Sequence, residues 1–270
     1  MQIPLFPLHT VLAPGIALPL HVFEERYRLM IKRCLAASAP FGIVLIREGS
    51  EVAPRDGTTQ ELAIAGVGTF AEIREASRYA DGRWDVLAVG TSRFLVREVL
   101  TTVEPYLVAD VDPYPDEPLG ADHDDVEALA GRVTRRFVDY LRLLQPRDGE
   151  TVEPIDVQME VETEVDEDDD AAGGAGDAPL FERDAQPVPV DDPEAARVAL
   201  RIPDEPSALS YLLTGIVQVE PDRKQALLEA ASAEERLRDL DALLDRELLL
   251  LGARLAPFAV DRKGLAGTGN

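Results

Sequence analysis

The sequence is poor in the residue types that build disulfides, metal sites and many catalytic centres. It has one cysteine, Cys34, and three histidines, His9, His21 and His123, in 270 residues. A single cysteine excludes an intrachain disulfide, and its place in a predicted helix favours a buried thiol over a reactive one. The histidines lack the spacing of a zinc site or of an HExxH motif. We therefore expect no metal site and no cofactor.

Further absences bear on membranes, nucleotides and hydrolysis. No apolar run approaches the ~18 residues of a membrane span, and the N-terminus lacks the basic and apolar regions of a signal peptide. There is no G-x-x-x-x-G-K-[ST] sequence, and the glycine-rich residues 173–176 are not followed by a Lys-Ser/Thr pair. None of the three lysines accompanies a serine as in a Ser-Lys dyad. We expect a cytoplasmic protein without a catalytic site.

Charge is strongly and unevenly negative. The formal net charge is −24, and residues 148–192 contain 17 acidic side chains and one arginine. The rest of the chain keeps a net charge of −8. Because phosphate binding requires an excess of lysine and arginine, this composition disfavours a nucleic-acid partner.

The opening residues predict strands followed by a helix. Apolar runs broken by prolines indicate two short strands around Pro14-Gly15, which suits a type II turn. Residues 24–37 repeat apolar side chains at helical spacing, and residues 41–46 form the unbroken apolar run of a buried strand.

The strand pattern continues to the proline-rich stop that begins at Asp112. Gly66 and Gly68 indicate a bulge or a close backbone crossing, and residues 80–82 and 90–92 are predicted turns. Further strands are expected at residues 62–73, 84–89, 93–99 and 106–111. Six or so short strands with one early helix predict a small, partly closed barrel.

Helices are predicted after the barrel. An apolar stripe predicts a helix from Asp122 that ends before Pro146. Pro206 and Pro221 suit the first position of two further helices, and Ser232 with Glu235 forms a capping-box signature for a last one. The stripe of the first helix contains Val126, Leu129, Val133, Phe137, Tyr140, Leu141 and Leu144.

These patterns divide the chain into four regions. Residues 1–115 form the predicted barrel, and residues 120–146 with 190–256 form a helical subdomain. Residues 147–190 are predicted to be an acidic, disordered insertion, which serves either as a solubilising loop or as a functional element. Residues 261–270 are predicted to be a disordered tail.

The opening run IPLFPLHTVLAPG and the following LPLHVFEERY resemble the start of the Lon protease N-terminal domain family. Similar family signatures follow at residues 66–73 and 90–94, and in the helical part at residues 205–212, 222–229 and 235–247. The resemblance implies an α+β fold, with a PUA-like β pseudo-barrel followed by an α-helical bundle. It also implies a non-catalytic module that binds unfolded or extended polypeptide. The module would act either as an adaptor, with an ATP-dependent protease as a candidate partner, or as a recognition module independent of the protease.

Candidate binding residues lie at the predicted junction of strand and helix. His21, Phe23, Arg26 and Tyr27 combine aromatic and charged groups that suit an extended apolar peptide. The alternative for Phe23 and Tyr27 is packing of the helix on the barrel. Trp84, beside a turn, is either an exposed contact or a cross-strand packing residue.

A second hypothesis follows from the barrel, because PUA-like folds often bind RNA. It requires a basic cluster on the surface. The arginines available for such a cluster are Arg74, Arg78, Arg83, Arg93 and Arg97.

Overall fold

Strands dominate the first part of the computed structural model, which describes residues 1–48, 63–100, 104–118, 123–144 and 202–255. One helix, α1 (Glu25–Ala37), follows the second strand. The strands are β1 (Gln2–Leu8), β2 (Ala17–Val22), β3 (Phe41–Glu48), β4 (Ala63–Ile64), β5 (Val67–Arg78), β6 (Trp84–Leu100) and β7 (Val108–Pro113). The predicted acidic insertion, residues 147–190, and the tail, residues 261–270, lie outside the described residues.

Four helices follow the strands, and proline and capping signals mark where they begin. Pro206 and Pro221 occupy the first turns of their helices, where a missing N–H costs nothing. Ser232 Oγ accepts a hydrogen bond from the backbone N–H of Glu235 at 3.1 Å. The helices are α2 (His123–Leu144), α3 (Pro206–Ile216), α4 (Pro221–Glu229) and α5 (Ala233–Leu255). Among the described residues no helix is both long and apolar enough to cross a membrane.

The sheet closes on itself. Its strands follow the order β1-β7-β6-β5-β3, and a parallel pairing of β1 with β3, Leu5 opposite Gly42, joins the two ends. The other pairings are antiparallel, with β4 beside β3 and β2 beside β6. Closure removes most free sheet edges. The predicted α+β fold, a PUA-like pseudo-barrel followed by helices, is confirmed.

The turn predicted at residues 90–92 is wrong, because β6 is one strand of 17 residues. Gly90 lies within it and pairs with the loop before β2: its N–H donates to Ile16 O at 3.0 Å, and its carbonyl accepts from Gly15 N at 2.8 Å. A Cβ at this position would lie 2.5 Å from Ala13 O. Glycine is needed here for close approach of two chain segments, which sequence alone does not distinguish from a turn.

Gly68 allows the barrel wall to pack closely, as predicted for a backbone crossing. A Cβ on Gly68 would lie 2.6 Å from Ile43 O and 2.5 Å from the Phe94 ring. Gly66 differs, because a Cβ there would meet nothing within 4 Å. The close crossing therefore belongs to Gly68.

Apolar side chains fill the barrel and the space under α1. Met30 and Ile31 of α1 are fully buried with Phe41 of β3 and Ala88 of β6 in one cluster. Cys34 lies in the same cluster at 4% exposure, and burial raises the pKa of its thiol to about 11. The thiol is therefore inert in the folded protein, as predicted.

The helices form a second core. The stripe of α2 is buried from Val126 to Tyr140, but its end differs from the prediction, since Leu144 is 38% exposed. On α5, Leu237, Leu240 and Leu244 are all fully buried. Ion pairs also join the two helices: Arg132 with Asp241, and Arg136 with Asp241 and Asp245.

A buried polar cluster connects the helices to the barrel. Arg93 of β6 and Arg236 of α5 have fully buried side chains, and both bind the carboxylate of Asp116 at 2.6 Å. Arg93 also donates to the carbonyl oxygens of Leu228 and Ala230 at the end of α4, both at 2.6 Å. The cluster therefore ties a barrel strand to two helices through charge-assisted hydrogen bonds.

Asp116 is the shared acceptor in this cluster. Its Oδ2 accepts from Ser207 Oγ at 2.7 Å, and its Oδ1 accepts from Tyr211 Oη at 2.8 Å. Burial alone would raise the pKa of Asp116, but the hydrogen bonds from Arg236, Ser207 and Tyr211 outweigh it and lower that pKa. The carboxylate is thus held charged between two guanidinium groups.

Candidate functional site

Part of the sheet extends beyond the closed barrel as a three-stranded layer. The first half of β6 pairs with β2 on one side and with the second half of β5 on the other. An open groove of about 440 Å³ lies across these three strands. Its lining includes Pro19, His21, Glu75, Asp85 and Leu87. It contains no lysine or arginine, so its charge comes from carboxylates.

Helix α1 holds the end of this layer in place. The β5–β6 hairpin turns at Gly82, which adopts φ +88°, as the predicted Asp-Gly turn requires. Arg28 of α1 reaches this turn and donates to Asp81 O at 3.2 Å. A Cβ at Gly82 would lie 2.7 Å from the Arg28 guanidinium. The groove thus has a fixed end.

A network of polar side chains occupies that end. His21 Nδ1 lies 2.6 Å from Asp85 Oδ1, and Tyr79 donates its hydroxyl to the other carboxylate oxygen. Arg83 Nη1 lies 3.3 Å from His21 Nε2. Because a guanidinium only donates, Nε2 must accept and Nδ1 must carry the proton given to Asp85. The hydrogen bonds from Tyr79 and His21 lower the pKa of Asp85. The bond between Tyr79 and Asp85 also raises the pKa of the Tyr79 hydroxyl.

Aromatic rings surround this network on the surface. Phe23 is 52% exposed and Tyr79 is 42% exposed. Their ring centroids lie 6.5 and 6.1 Å from that of His21. We call His21, Phe23 and Tyr79 the aromatic patch. Large exposed rings beside an open groove are typical of surfaces that bind apolar partners.

Three of the five predicted binding residues, Arg26, Tyr27 and Trp84, do not belong to the aromatic patch. Tyr27 is only 2% exposed and stacks on Phe6 at 4.2 Å, so it packs α1 on the barrel and is not a surface anchor. Arg26 is partly buried and donates to Glu24 at 3.0 Å. Trp84 is half-buried against the barrel core. Only His21 and Phe23 of the five reach the open surface together.

Tyr79 was missed by the sequence analysis. It precedes the predicted turn at residues 80–82, and its neighbours in the sequence do not distinguish a binding residue from an ordinary residue of a hairpin. Its role depends on Asp85 across the hairpin and on His21, which lies 64 positions before Asp85. The available signal was an aromatic residue directly before the Ala-Asp-Gly turn, which places a ring near the turn of a hairpin.

Arginines do not form the basic surface that RNA binding requires. Arg93 is 2% exposed inside the polar cluster, and Arg78 lies 5.8 Å from the Trp84 ring. Nearby carboxylates pair with the remaining three: Glu72 with Arg74, Asp81 with Arg83 and Asp112 with Arg97. No observation on the described surface favours the nucleic-acid hypothesis. Over the same part of the chain, no group of three or more metal-binding side chains occurs.

This barrel-and-helix fold is found in solved structures. The chain is similar to a Lon N-terminal domain protein from Xanthomonas campestris, with a TM-score of 0.52 and 21% identity over 90% of this chain and 98% of the other. It is equally similar to the N-terminal domain of the Mycobacterium avium complex Lon protease, with a TM-score of 0.52, 17% identity, and coverage of 91% and 98%. The fold is therefore that of Lon N-terminal domains.

The family follows from the sequence model of the ATP-dependent protease La (LON) substrate-binding domain, which matches residues 2–246. The chain belongs to this family, as the resemblance implied. It is 25% identical to Lon protease 2 of Herpetosiphon aurantiacus over 252 residues and 23% identical to Lon protease of Syntrophus aciditrophicus over 256. These matches cover 93% and 94% of this chain but 24% and 26% of the two relatives. The chain thus spans about a quarter of their length.

Proposed function

We propose that this protein binds unfolded or extended polypeptide without hydrolysing it, through the aromatic patch and the adjoining groove. The family is described as a substrate-binding domain, and the relatives are named proteases. One observation supports the location: Phe23 is 52% exposed beside an open groove, although burial would be the ordinary environment of a phenylalanine.

Physical reasoning supports shallow binding at this surface. Phe23 lies after the last residue of β2, and its ring is free to contact a partner. Aromatic side chains supply large contact area for little loss of conformational freedom. Hydrogen bonds to Asp85 orient two rings of the patch, those of His21 and Tyr79, which lowers the entropic cost of binding. Such a surface accepts many sequences, as a recognition module for protein quality control requires.

The partner is part of the same proposal. Because the relatives are named Lon proteases, we propose that the bound polypeptide is passed to an ATP-dependent protease in the cytoplasm. The chain then acts as an adaptor or recognition module. Because the family is described as a substrate-binding domain, we propose binding alone for this chain, without ATP hydrolysis or peptide cleavage.

Fluorescence anisotropy with a reduced and alkylated, permanently unfolded protein as probe tests this function. We expect saturable binding at tens of micromolar or tighter, and an affinity loss of about 5-fold or more for Phe23→Ser, the size expected when a central contact is removed. Leu249→Ser is the matched control, because Leu249 is an apolar residue of α5 with 70% exposure. Absence of binding, or equal losses in both variants, would contradict the proposal.

A further inference from the structure

Strand β2 has one unpaired edge on the described surface. It pairs with β6 along Ala17–Val22, and no described strand lies on its other side. Ala17, Pro19 and His21 are exposed along this strand. An exposed strand edge is a template for an added strand, because its unpaired backbone N–H and C=O groups can form hydrogen bonds with that strand.

The register determines which backbone groups face outward. Gly90 donates to Ile16 O, so the carbonyl of Ile16, directly before β2, points toward β6. Antiparallel ladders alternate, so Leu18 and Leu20 direct their N–H and C=O groups toward β6. Ala17, Pro19 and His21 therefore direct theirs toward the free edge. This edge offers three carbonyl acceptors but only two N–H donors, because proline has none.

The two faces of the edge differ in chemistry. Leu18 and Leu20 are half-buried and lie on the face that packs against the barrel core. The opposite face is the groove, where Asp85 lies across from His21 and Glu75 follows on β5. Glu75 has no ion pair among the residues that the structure describes. An added strand would thus meet apolar side chains on one face and carboxylates on the other.

We infer that the free edge of β2 binds an extended polypeptide as an added strand, and that segments alternating apolar and basic residues bind best. The inference specifies the mode and the substrate class of the proposed function and rests on that function. Apolar residues of the added strand cover Leu18 and Leu20, because alternate side chains share a face. Basic residues lie over the groove face, attracted by its carboxylates and by the net charge of −24.

Pro19 limits the pairing capacity of this edge. A proline at an outward-facing position removes the central donor, which is a common protection of strand edges. An added strand still gains bonds to Ala17 and His21 on either side. Pro19→Val restores the donor, so we expect binding of an added strand to strengthen between about 2- and 10-fold.

The experiment uses the full chain and four labelled peptides. The parent is an acetylated, amidated octapeptide of alternating valine and lysine. Two isomers carry backbone N-methyl groups, one on every lysine and the other on every valine. In the fourth peptide, glutamate replaces lysine. Affinities are measured by fluorescence anisotropy at low salt, alongside the unfolded protein probe.

Strand addition predicts that the parent peptide binds. One N-methylated isomer should lose at least 10-fold in affinity while the other keeps its affinity, because only alternate N–H groups of an added strand face β2 and methylation blocks them in one isomer alone. We also expect the glutamate peptide to bind at least 10-fold more weakly than the parent. Equal affinities of the two isomers, whether both retained or both lost, would overturn the inference. If the unfolded protein binds while the isomers do not differ, only strand addition fails. If neither probe binds, the proposed function fails as well.

Discussion

Replacing Asp116 by asparagine should strongly destabilise the fold. Asp116 lies between two arginines, Arg93 and Arg236, whose side chains are fully buried. The carboxylate accepts hydrogen bonds from both, and also from Ser207 and Tyr211. The variant keeps the shape but removes the charge and turns one acceptor into a donor. Two buried guanidinium groups then lack a carboxylate.

Removing one partner of a buried ion pair costs about 3–5 kcal/mol, because the remaining charge cannot regain its hydration. We expect this loss in the free energy of unfolding for Asp116→Asn. For a fold of this size it corresponds to a decrease in Tm of roughly 6–20 °C. Urea unfolding followed by circular dichroism gives the free energy, and the fluorescence of Trp84 reports separately on the barrel.

Asp112→Asn is the matched control. Asp112 also pairs with an arginine, Arg97 at 2.7 Å, but both side chains are about half exposed. Water solvates both charges, so this variant should lose no more than about 1 kcal/mol. If Asp116→Asn loses as little as Asp112→Asn, the buried cluster does not hold the helices on the barrel, and our reasoning about it is refuted.

Three further predictions concern the same fold. Gly68→Ala should lower the free energy of unfolding in urea by about 1–3 kcal/mol or more, because its Cβ would lie 2.6 Å from Ile43 O. Gly66→Ala has open space around the new Cβ and should change this free energy by about 0.5 kcal/mol at most. Equal effects of the two variants would contradict the close crossing at Gly68. A thiol reagent at pH 8 should leave Cys34 unmodified in the native protein and modify it fully in urea, and rapid native labelling would show that the thiol is accessible. The pKa of Asp116 is lowered in the folded state, so its stabilisation is complete above the unfolded pKa of about 3.9 and lost as pH falls through the lower folded value. The stability difference between the parent protein and Asp116→Asn should therefore be constant at neutral pH and shrink in acid, and a difference that grows in acid would contradict the assignment.

Periodicity and turn chemistry were sufficient to predict most elements of the fold. Proline at the first turns of α3 and α4 and the Asp-Gly turn at Gly82 act locally, so each could be recognised from a few neighbouring residues. Gly90 could not, because its requirement comes from Ala13 O on a distant segment. The pairing of β1 with β3 that closes the barrel is also non-local.

The candidate site was predictable only in part, for the same reason. His21 lies in β2 and Phe23 directly after the end of that strand, so a local pattern identified them together. Tyr79 joins them through Asp85, and that contact depends on the register of β2, β5 and β6. Tyr27 was indistinguishable from Phe23 in sequence, yet the direction of its side chain from α1 buries it against Phe6. Burial at a strand-to-helix junction is set by packing across the barrel.

Amide hydrogen exchange with and without the unfolded protein probe tests the location of binding most directly. Bound polypeptide should slow exchange in the fragment that covers residues 17–23, where the N–H groups of Ala17 and His21 face the free edge. The fragment containing Tyr79 should be protected as well, and fragments of α5 should not change. Protection confined to α5, or none in residues 17–23 at saturating probe, would contradict the assignment of polypeptide binding to β2 and the aromatic patch.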